Sequence, residues 1–352
     1  MKAAFLTRTW ARDPMTRQPA IQAVPFYRQW LPMNCLTGKH AMGMPAWTSA
    51  TGFGIVNDEK TARFGFDVVS MKLLMERWIP HQIKVAQALG QRVINDVDDL
   101  YDDIHEGNMA KNATDPEKNR VRNRDHYREA ILQSDTITVS TPILKTHYEE
   151  MGHPDVRLVR NGINPLQFKF QEPVYRKRPV IGWVGAVDWR SGDLEALKSW
   201  LPGFLKEHRL TFHHSGHVPG HKPLGAVLGL PDDTYTWSAM VPFTRLHTLY
   251  QFDIGLVPLT PIPFNEAKSA LKGLEYAASG IAYVASSSSE YRLLAEDGCG
   301  RTASSDTEWL AQLGRLLDFG ARRDDVRRNF TTMIDKHTIV QRRDEWRAVF
   351  NG

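Results

Sequence analysis

Residues 252–286 read FDIGLVPLTPIPFNEAKSALKGLEYAASGIAYVAS. The apolar run FDIGLVPL has the length of a buried strand, and it gives way to a Pro-rich loop. Asn265 stands where a side-chain oxygen would cap a helix, and Gly280 where a left-handed residue would end one. Between them Ala267, Ala270, Leu271, Leu274, Ala277 and Ala278 recur every three or four positions and form one packing face. IAYVAS is then a second apolar strand. Strand, helix and strand in this order predict a crossover that pairs the two strands parallel.

The alternation continues on both sides. PVIGWVG (179–185) reads as a strand, LEALKSWLPGFLKEH (194–208) as a helix, LTFHHSG (210–216) as a strand and FTRLHTLYQ (243–251) as a helix. Nearer the N-terminus, FDVVSM (66–71), WIPHQIKVAQALG (78–90, closed by Gly90) and QRVIND (91–96) repeat the pattern. TITVS (136–140) follows, with Pro142 opening a helix where its missing N–H costs little. The Pro- and charge-rich passage at 155–179 has the composition of a linker. These features predict an α/β chain of two doubly wound, Rossmann-like domains facing across a cleft: an N-terminal domain over 1–165 and a C-terminal domain over 166–335. A short helix within 336–352 has the first domain as its candidate partner. Doubly wound sheets bind ligands beyond the carboxyl ends of their strands, so two facing domains share one site.

Composition narrows the function. With 352 residues, 42% hydrophobic and 24% charged, the chain has the makeup of a folded globular protein with enough length for two cores. A formal charge of +4 favours anionic ligands without demanding nucleic acid. Cys35 and Cys299 lie far apart and without partners at metal spacing, against a disulfide framework or a zinc ribbon. No apolar run reaches the ~18 residues of a membrane span, and the N-terminal apolar stretch is too short for a signal peptide, so the expected location is cytoplasmic. Walker spacing is absent, and GFG at 52–54 is only a fragment of a dinucleotide fingerprint.

Within the 252–286 segment, Lys268, Lys272 and Glu275 fall on a stripe separate from the packing face. Cations in the first turns of a helix oppose its dipole, a cost of roughly 0.3–1 kcal/mol each, which an anion at the helix start would reverse. A diphosphate is such an anion, and Glu275, one turn on, has two acceptor oxygens to match two ribose hydroxyls. The alternative is a solvated face with one i,i+3 pair.

The segment FNEAKSALKGLEYAASGIAYVAS (264–286) resembles the donor-site signature of GT-B glycosyltransferases, especially family 4 and its phage-encoded members. The resemblance extends to IGWVGAVDWRSGDLEAL (181–197), TVSTPILKTHY (138–148) and VRLVRNGI (156–163). It implies that Glu275 binds the ribose, that the backbone about Ser269 and Ala270 meets the diphosphate, and that Lys268 or Lys272 carries phosphate charge. Gly185 would form the turn by the phosphates, with Arg190 the nearest cation, and Asn265 would be among the donor-binding residues. Trp237, in TWSAMVPFTRL (236–246), would stack on the base. The chain departs from the pattern at Ala267, where the family often has a glutamate, and at Gly185-Ala186 and Ser191-Gly192.

RVINDVDDLYDDIH (92–105) places five aspartates after a strand. Asp96-Val97-Asp98 spells the metal-binding Asp-x-Asp of the other large transferase architecture, but the phosphate signature lies on a second sheet far downstream. Asp96, Asp98 and Asp99 are therefore the candidate catalytic residues on the acceptor side, with Asp102 and Asp103 solvated. His213, His214, His217 and His221 match no zinc spacing and are expected to face sugar or phosphate. Lys118, Arg120, Arg122, Arg124 and Arg128 spread around more than one helical face, as on a solvated helix.

Together these readings predict a hexosyltransferase that moves a sugar from a nucleoside-diphosphate donor, such as UDP-sugar, to an acceptor hydroxyl. It would need no metal or other cofactor and would retain anomeric configuration. The acceptor would be a protein, a glycan or modified DNA, and a phage-encoded enzyme would work in host cytoplasm. Two alternatives remain: glycosylation of a hydroxylated base in phage DNA, and a non-catalytic binding protein on a degenerate transferase scaffold.

Overall fold

The computed structural model describes residues 3–7, 10–12, 19–21, 25–36, 45–47, 66–104, 108, 111, 114, 123–187, 190 and 192–352. GFG at 52–54 and the basic positions Lys118, Arg120 and Arg122 lie outside them.

The strands are β1 (Ala3–Thr7), β2 (Trp10–Arg12), β3 (Pro19–Ile21), β4 (Pro45–Trp47), β5 (Val68–Lys72), β6 (Arg92–Val97), β7 (Thr136–Val139) and β8 (Val156–Leu158) in the first half. The second half has β9 (Ile181–Val184), β10 (Phe212–His217), β11 (Tyr235–Ala239), β12 (Ile254–Val257), β13 (Ala282–Ser286) and β14 (Arg301–Ala303). The helices are α1 (Leu31–Cys35), α2 (Ile79–Ala88), α3 (Asn123–Gln133), α4 (Pro142–Glu150), α5 (Leu201–His208), α6 (Leu224–Val227), α7 (Pro263–Glu266), α8 (Leu271–Ser279), α9 (Ser289–Glu296), α10 (Asp306–Leu317), α11 (Phe319–Lys336) and α12 (Arg343–Asn351).

Among the described residues two six-stranded sheets result, in the orders β4-β1-β5-β6-β7-β8 and β11-β10-β9-β12-β13-β14, while β2 and β3 form a separate antiparallel pair. Every pairing within the two large sheets is parallel. This is the doubly wound α/β architecture expected from the alternating pattern. In each sheet the order reverses once, beside β1 in the first and between β9 and β12 in the second. Loops diverge at such a reversal, leaving a crevice past the carboxyl ends of the two strands.

Local chemistry explains most boundaries. Pro142 occupies the first turn of α4, and the Thr141 hydroxyl accepts from the Leu144 N–H. Gly280 ends α8 in the left-handed region at φ 78°. β1, in the N-terminal apolar stretch, is buried along its length and pairs with both β4 and β5.

Three predicted helices differ. The 194–208 helix is divided into a 3-10 turn, Glu195–Ser199, and α5, because Pro202 in the first turn of α5 cannot continue a helix from upstream. The 243–251 segment is a 3-10 run kinked at Arg245. The 265–279 helix is two, α7 and α8, with the break at 267–270. At that break Ala267 is buried in the hydrophobic cluster of Val97, Tyr101 and Val139, and its carbonyl accepts from the Thr141 hydroxyl at 2.9 Å. Contacts with the first domain thus replace the continuous helix.

The 155–179 passage is also more structured than a linker. β8 joins the first sheet, and Ile163 bridges to Thr338 ahead of α12. α12 then packs on the first domain: Phe350 lies 5.2 Å from Phe5, ring to ring, and Arg28 sits over the Trp346 ring at 4.9 Å. Among the described residues no helix is long and apolar enough to cross a membrane.

Candidate active site

The carboxyl ends of β5, β6 and β7 carry a chain of alternating charges. Register sets Lys72 opposite Asp96 and Asp96 opposite Thr138, so three polar side chains meet on neighbouring strands. Asp96 is wholly buried, 2.6 Å from Arg28 and 3.1 Å from Lys72, and accepts from Thr138 at 2.7 Å. Burial alone would raise its carboxyl, but Arg28 and Lys72 outweigh it and hold the pKa below the ordinary value. With both oxygens engaged and no solvent face, Asp96 holds the strand ends together and presents nothing to an acceptor.

Asp98 is the next link. It pairs with the other side of Lys72 and lies closer to solvent than Asp96. Burial pushes its carboxyl up; Lys72 pulls it down, and Asp99 pushes it up again. Asp99 reaches across to the second domain and pairs with Lys268 at 2.8 Å. Asp102 accepts or shares a proton with His147 at 3.1 Å, away from this chain of charges.

On the opposite side, the start of α8 carries no side-chain cap. Lys272, in its first turn, donates to the Val184 carbonyl at the end of β9, 2.6 Å away. Burial lowers the Lys272 pKa to about 8, with Glu275 opposing and Arg190 adding to the fall. Lys268 is lowered too, by burial first, with Asp99 opposing and Arg190 adding. Both lysines therefore feel Arg190 near the reversal between β9 and β12. Nearby, Asp193 accepts from the Thr260 N–H at 2.8 Å, from its hydroxyl at 2.9 Å and from Asn265 at 2.7 Å. Asn265 is thereby committed to the β12 loop and does not cap α8.

Gly185 forms the tight turn after β9. Its φ is 149°, and a Cβ there would lie 2.8 Å from the Trp183 ring. Its N–H donates to Ser215 and its carbonyl accepts from His214 at 2.9 Å. Ser269 accepts from Asn161 of the first domain at 2.8 Å. Glu275 is buried, and its two oxygens accept from the Tyr27 and Tyr250 hydroxyls, each at 2.9 Å. Glu266, adjacent to the departure at Ala267, accepts from the Ser289 N–H and hydroxyl and so belongs to the start of α9.

Comparison with known proteins bears on the architecture. No family model and no curated protein matches the sequence. Among solved structures, sucrose-phosphate synthase from Thermosynechococcus elongatus superposes with a TM-score of 0.66 at 14% identity, over 100% of both chains. HepE of Anabaena, in complex with UDP, gives 0.66 at 11% identity over 100% of both. A Rickettsia africae glycosyltransferase gives 0.65 at 11% identity over 99% of this chain and 98% of that one. The fold is GT-B.

Within this GT-B frame, the predicted residues divide by position. Asp98, Asp99, Gly185, Arg190, Lys268, Ser269, Ala270, Lys272 and Glu275 gather where the two domains meet. Trp237 does not: it lies on β11, the outer edge of the second sheet, 51% exposed, with its ring against His217 at 4.4 Å. The histidines are not one group. His213 bonds Thr236 and Ser238, whereas His214 accepts from the Leu224 N–H and donates to Gly185. That arrangement fixes a neutral His214, and burial lowers its pKa to about 4. Among the described residues no three His, Cys, Asp or Glu side chains are placed to hold a metal.

The sequence pattern does not mark Tyr27, Arg28, Lys72, Asp193 or Tyr250 as site residues, and Asn161 figures in it only as part of an Asn161-Gly162 turn. The first two lie in a stretch without periodic signal, and Lys72 is visible only once strand register places it beside Asp96. Asp193 was within a quoted motif, SGDLEAL, and its position before an apolar helix face was the available clue.

Proposed function

We propose that the protein is a glycosyltransferase that moves a hexose from a nucleoside-diphosphate sugar to an acceptor hydroxyl. The observation that carries this reading is the gathering of Lys268, Lys272 and Arg190 at the uncapped start of α8, opposite Asp98 and Asp99. Breaking the bond from the sugar to the diphosphate builds negative charge on the leaving oxygen. Fixed cations and a helix start stabilise that charge without solvent reorganisation. Lys272 and Arg190 supply it with no metal in the scheme, and Lys268 joins them by exchanging Asp99 for phosphate.

Glu275 takes a ribose hydroxyl, and the Gly185 turn lets backbone approach the phosphates. Asp98 and Asp99, on the acceptor side, orient the incoming hydroxyl and the transferred sugar, in keeping with a retaining route. That HepE was solved with UDP, with UDP and glucose, and with UDP-glucose favours a uridine donor.

The test is a binding and hydrolysis panel of UDP-, GDP-, ADP- and dTDP-sugars, with and without EDTA, on wild type, Lys268→Ala and Glu275→Ala. One donor should bind best, EDTA should leave it unaffected, and both variants should bind it at least tenfold more weakly, about 1.4 kcal/mol. Equal, weak binding of every donor by all three proteins would remove the donor-site assignment, and loss of affinity with EDTA would restore a metal.

A further inference from the structure

Tyr27 lies on a short π-helix, Phe26–Trp30, in the N-terminal domain, yet its hydroxyl bonds Glu275, 248 positions downstream in the other domain. The turn runs directly into α1, and single π turns joined to an α-helix are frequent at functional positions. Here consecutive residues serve different domains. Arg28 points inward, to Asp96, to the Val159 carbonyl at 2.6 Å and to Asn161 at 3.2 Å, while Tyr27 faces the donor side. Arg28 anchors the turn on which Tyr27 reaches Glu275.

The two bonds on Glu275 differ in origin. Tyr250 belongs to the same domain as Glu275, so its bond to Oε2 is part of the C-terminal fold. Tyr27 comes from across the domain junction and takes Oε1. A carboxylate only accepts, and a phenol donates to it as a ribose hydroxyl would. Burial, then the charge of Glu275, holds the Tyr27 phenol well above its ordinary pKa, so it stays a donor. Asp99 shows the parallel relation, presenting to Lys268 the negative oxygen that a phosphate would. The N-terminal domain thus offers the donor-side residues both chemistries of a nucleoside diphosphate: a hydroxyl for the carboxylate and an anion for the lysine.

We propose that Tyr27 holds the place of a ribose hydroxyl on Glu275, so that the N-terminal domain and the nucleoside diphosphate compete for one carboxylate oxygen. The inference rests on the donor-site reading given above. Donor binding then includes an exchange at Oε1, and the tyrosine keeps the buried carboxylate satisfied when no nucleotide is present.

Calorimetric titration tests the exchange, using whichever of UDP, GDP, ADP and dTDP binds wild type most tightly, together with its 2′,3′-dideoxy counterpart. Removing the competing hydroxyl with Tyr27→Phe should tighten the hydroxylated nucleotide by roughly tenfold, as expected for one hydrogen bond to a charged group. The dideoxy nucleotide, which has no hydroxyl to gain from Glu275, should bind Tyr27→Phe and wild type alike. A thermal melt establishes that the variant is folded, and Tyr250→Phe serves as the same-domain comparison. Equal tightening of both nucleotides would show a general loosening of the domain junction and overturn the proposal, as would unchanged or weakened binding of the hydroxylated form. If wild type binds none of the four nucleotides, the donor-site reading itself fails; if it binds one through Glu275 and Tyr27→Phe changes nothing, only the exchange fails.

Discussion

Lys272 is a half-buried ammonium that donates to a backbone carbonyl, and that environment makes its charge dependent on pH. Burial holds its pKa at about 8, well below the ordinary lysine value. Below that pH it is protonated and can meet a diphosphate as a cation. Above it, a bound phosphate must draw a proton onto the lysine, so affinity falls as pH rises. The fall approaches about tenfold per pH unit for a single linked proton. Nucleotide affinity measured from pH 6.5 to 9.5 should therefore bend downward near 8, and Lys272→Met should bind more weakly at low pH with no bend there. A flat profile in wild type would remove Lys272 from the phosphate site. Asp96 shows the opposite use of burial: two cations and a hydroxyl saturate it, leaving a structural tie where the sequence offered a catalytic candidate. Asp98 and Asp99, two and three positions on, sit past the strand end, and under the proposed function they meet the acceptor.

At the level of elements, α8 shows what the local pattern encodes and what it does not. Gly280 closes the helix at φ 78°, and a Cβ there would fall 2.1 Å from the Gln171 carbonyl oxygen, which belongs to the chain segment joining the domains. Gly90 ends α2 at nearly the same φ, 79°, with nothing within 4 Å of its virtual Cβ. Left-handed strain alone costs about 1–2 kcal/mol. Gly90→Ala should show roughly that loss in urea denaturation, while Gly280→Ala should lose more, because backbone must move as well. Equal losses would mean that the connecting segment is free to shift. The closing glycine, the apolar face and the flanking strands were all legible in 252–286, since they follow from periodicity and capping. The break at 267–270 was not, because Thr141 and the cluster around Val97 come from the other domain and leave no trace in the local pattern. β11 was read only as a place for a stacking aromatic: its mixed polar residues and exposed edge lack the apolar alternation that identifies a strand. The boundary at Pro202 is legible in the sequence, since a proline eight residues into a predicted helix marks a start at least as well as an interior.

At the level of the whole molecule, the chain crosses between domains near its end, and this return ties the fold together. α11 belongs to the second domain, with Val326 in that domain's core, and α12 lies on the first. The exchange passes through the Ile163–Thr338 bridge, with Ile163 donating to His337 at 2.8 Å and Ile339 donating back to Ile163 at 2.8 Å. Trp346, Val349 and Phe350 are buried in one cluster with Phe5, Phe26, Tyr27 and Ile94. Trp346 also lies under Arg28, the residue that ties the Tyr27 turn to Asp96. Truncating a buried tryptophan costs about 3–5 kcal/mol, a large part of the ~5–15 kcal/mol that stabilises a typical domain. Trp346→Ala should therefore lower the denaturation midpoint sharply and bring the N-terminal domain out first, seen as an early transition separate from the C-terminal one. Trp237→Ala, at an exposed position on the edge strand, should shift stability by no more than about 0.5 kcal/mol. Because the tryptophan holds Arg28, and Arg28 holds both Asp96 and the turn that carries Tyr27, partial loss of α12 should also alter nucleotide binding at a site the helix does not touch. A Trp346→Ala protein with wild-type stability and wild-type nucleotide affinity would show that the C-terminal helix is an accessory to the N-terminal core and no part of what holds the two halves of the site in register.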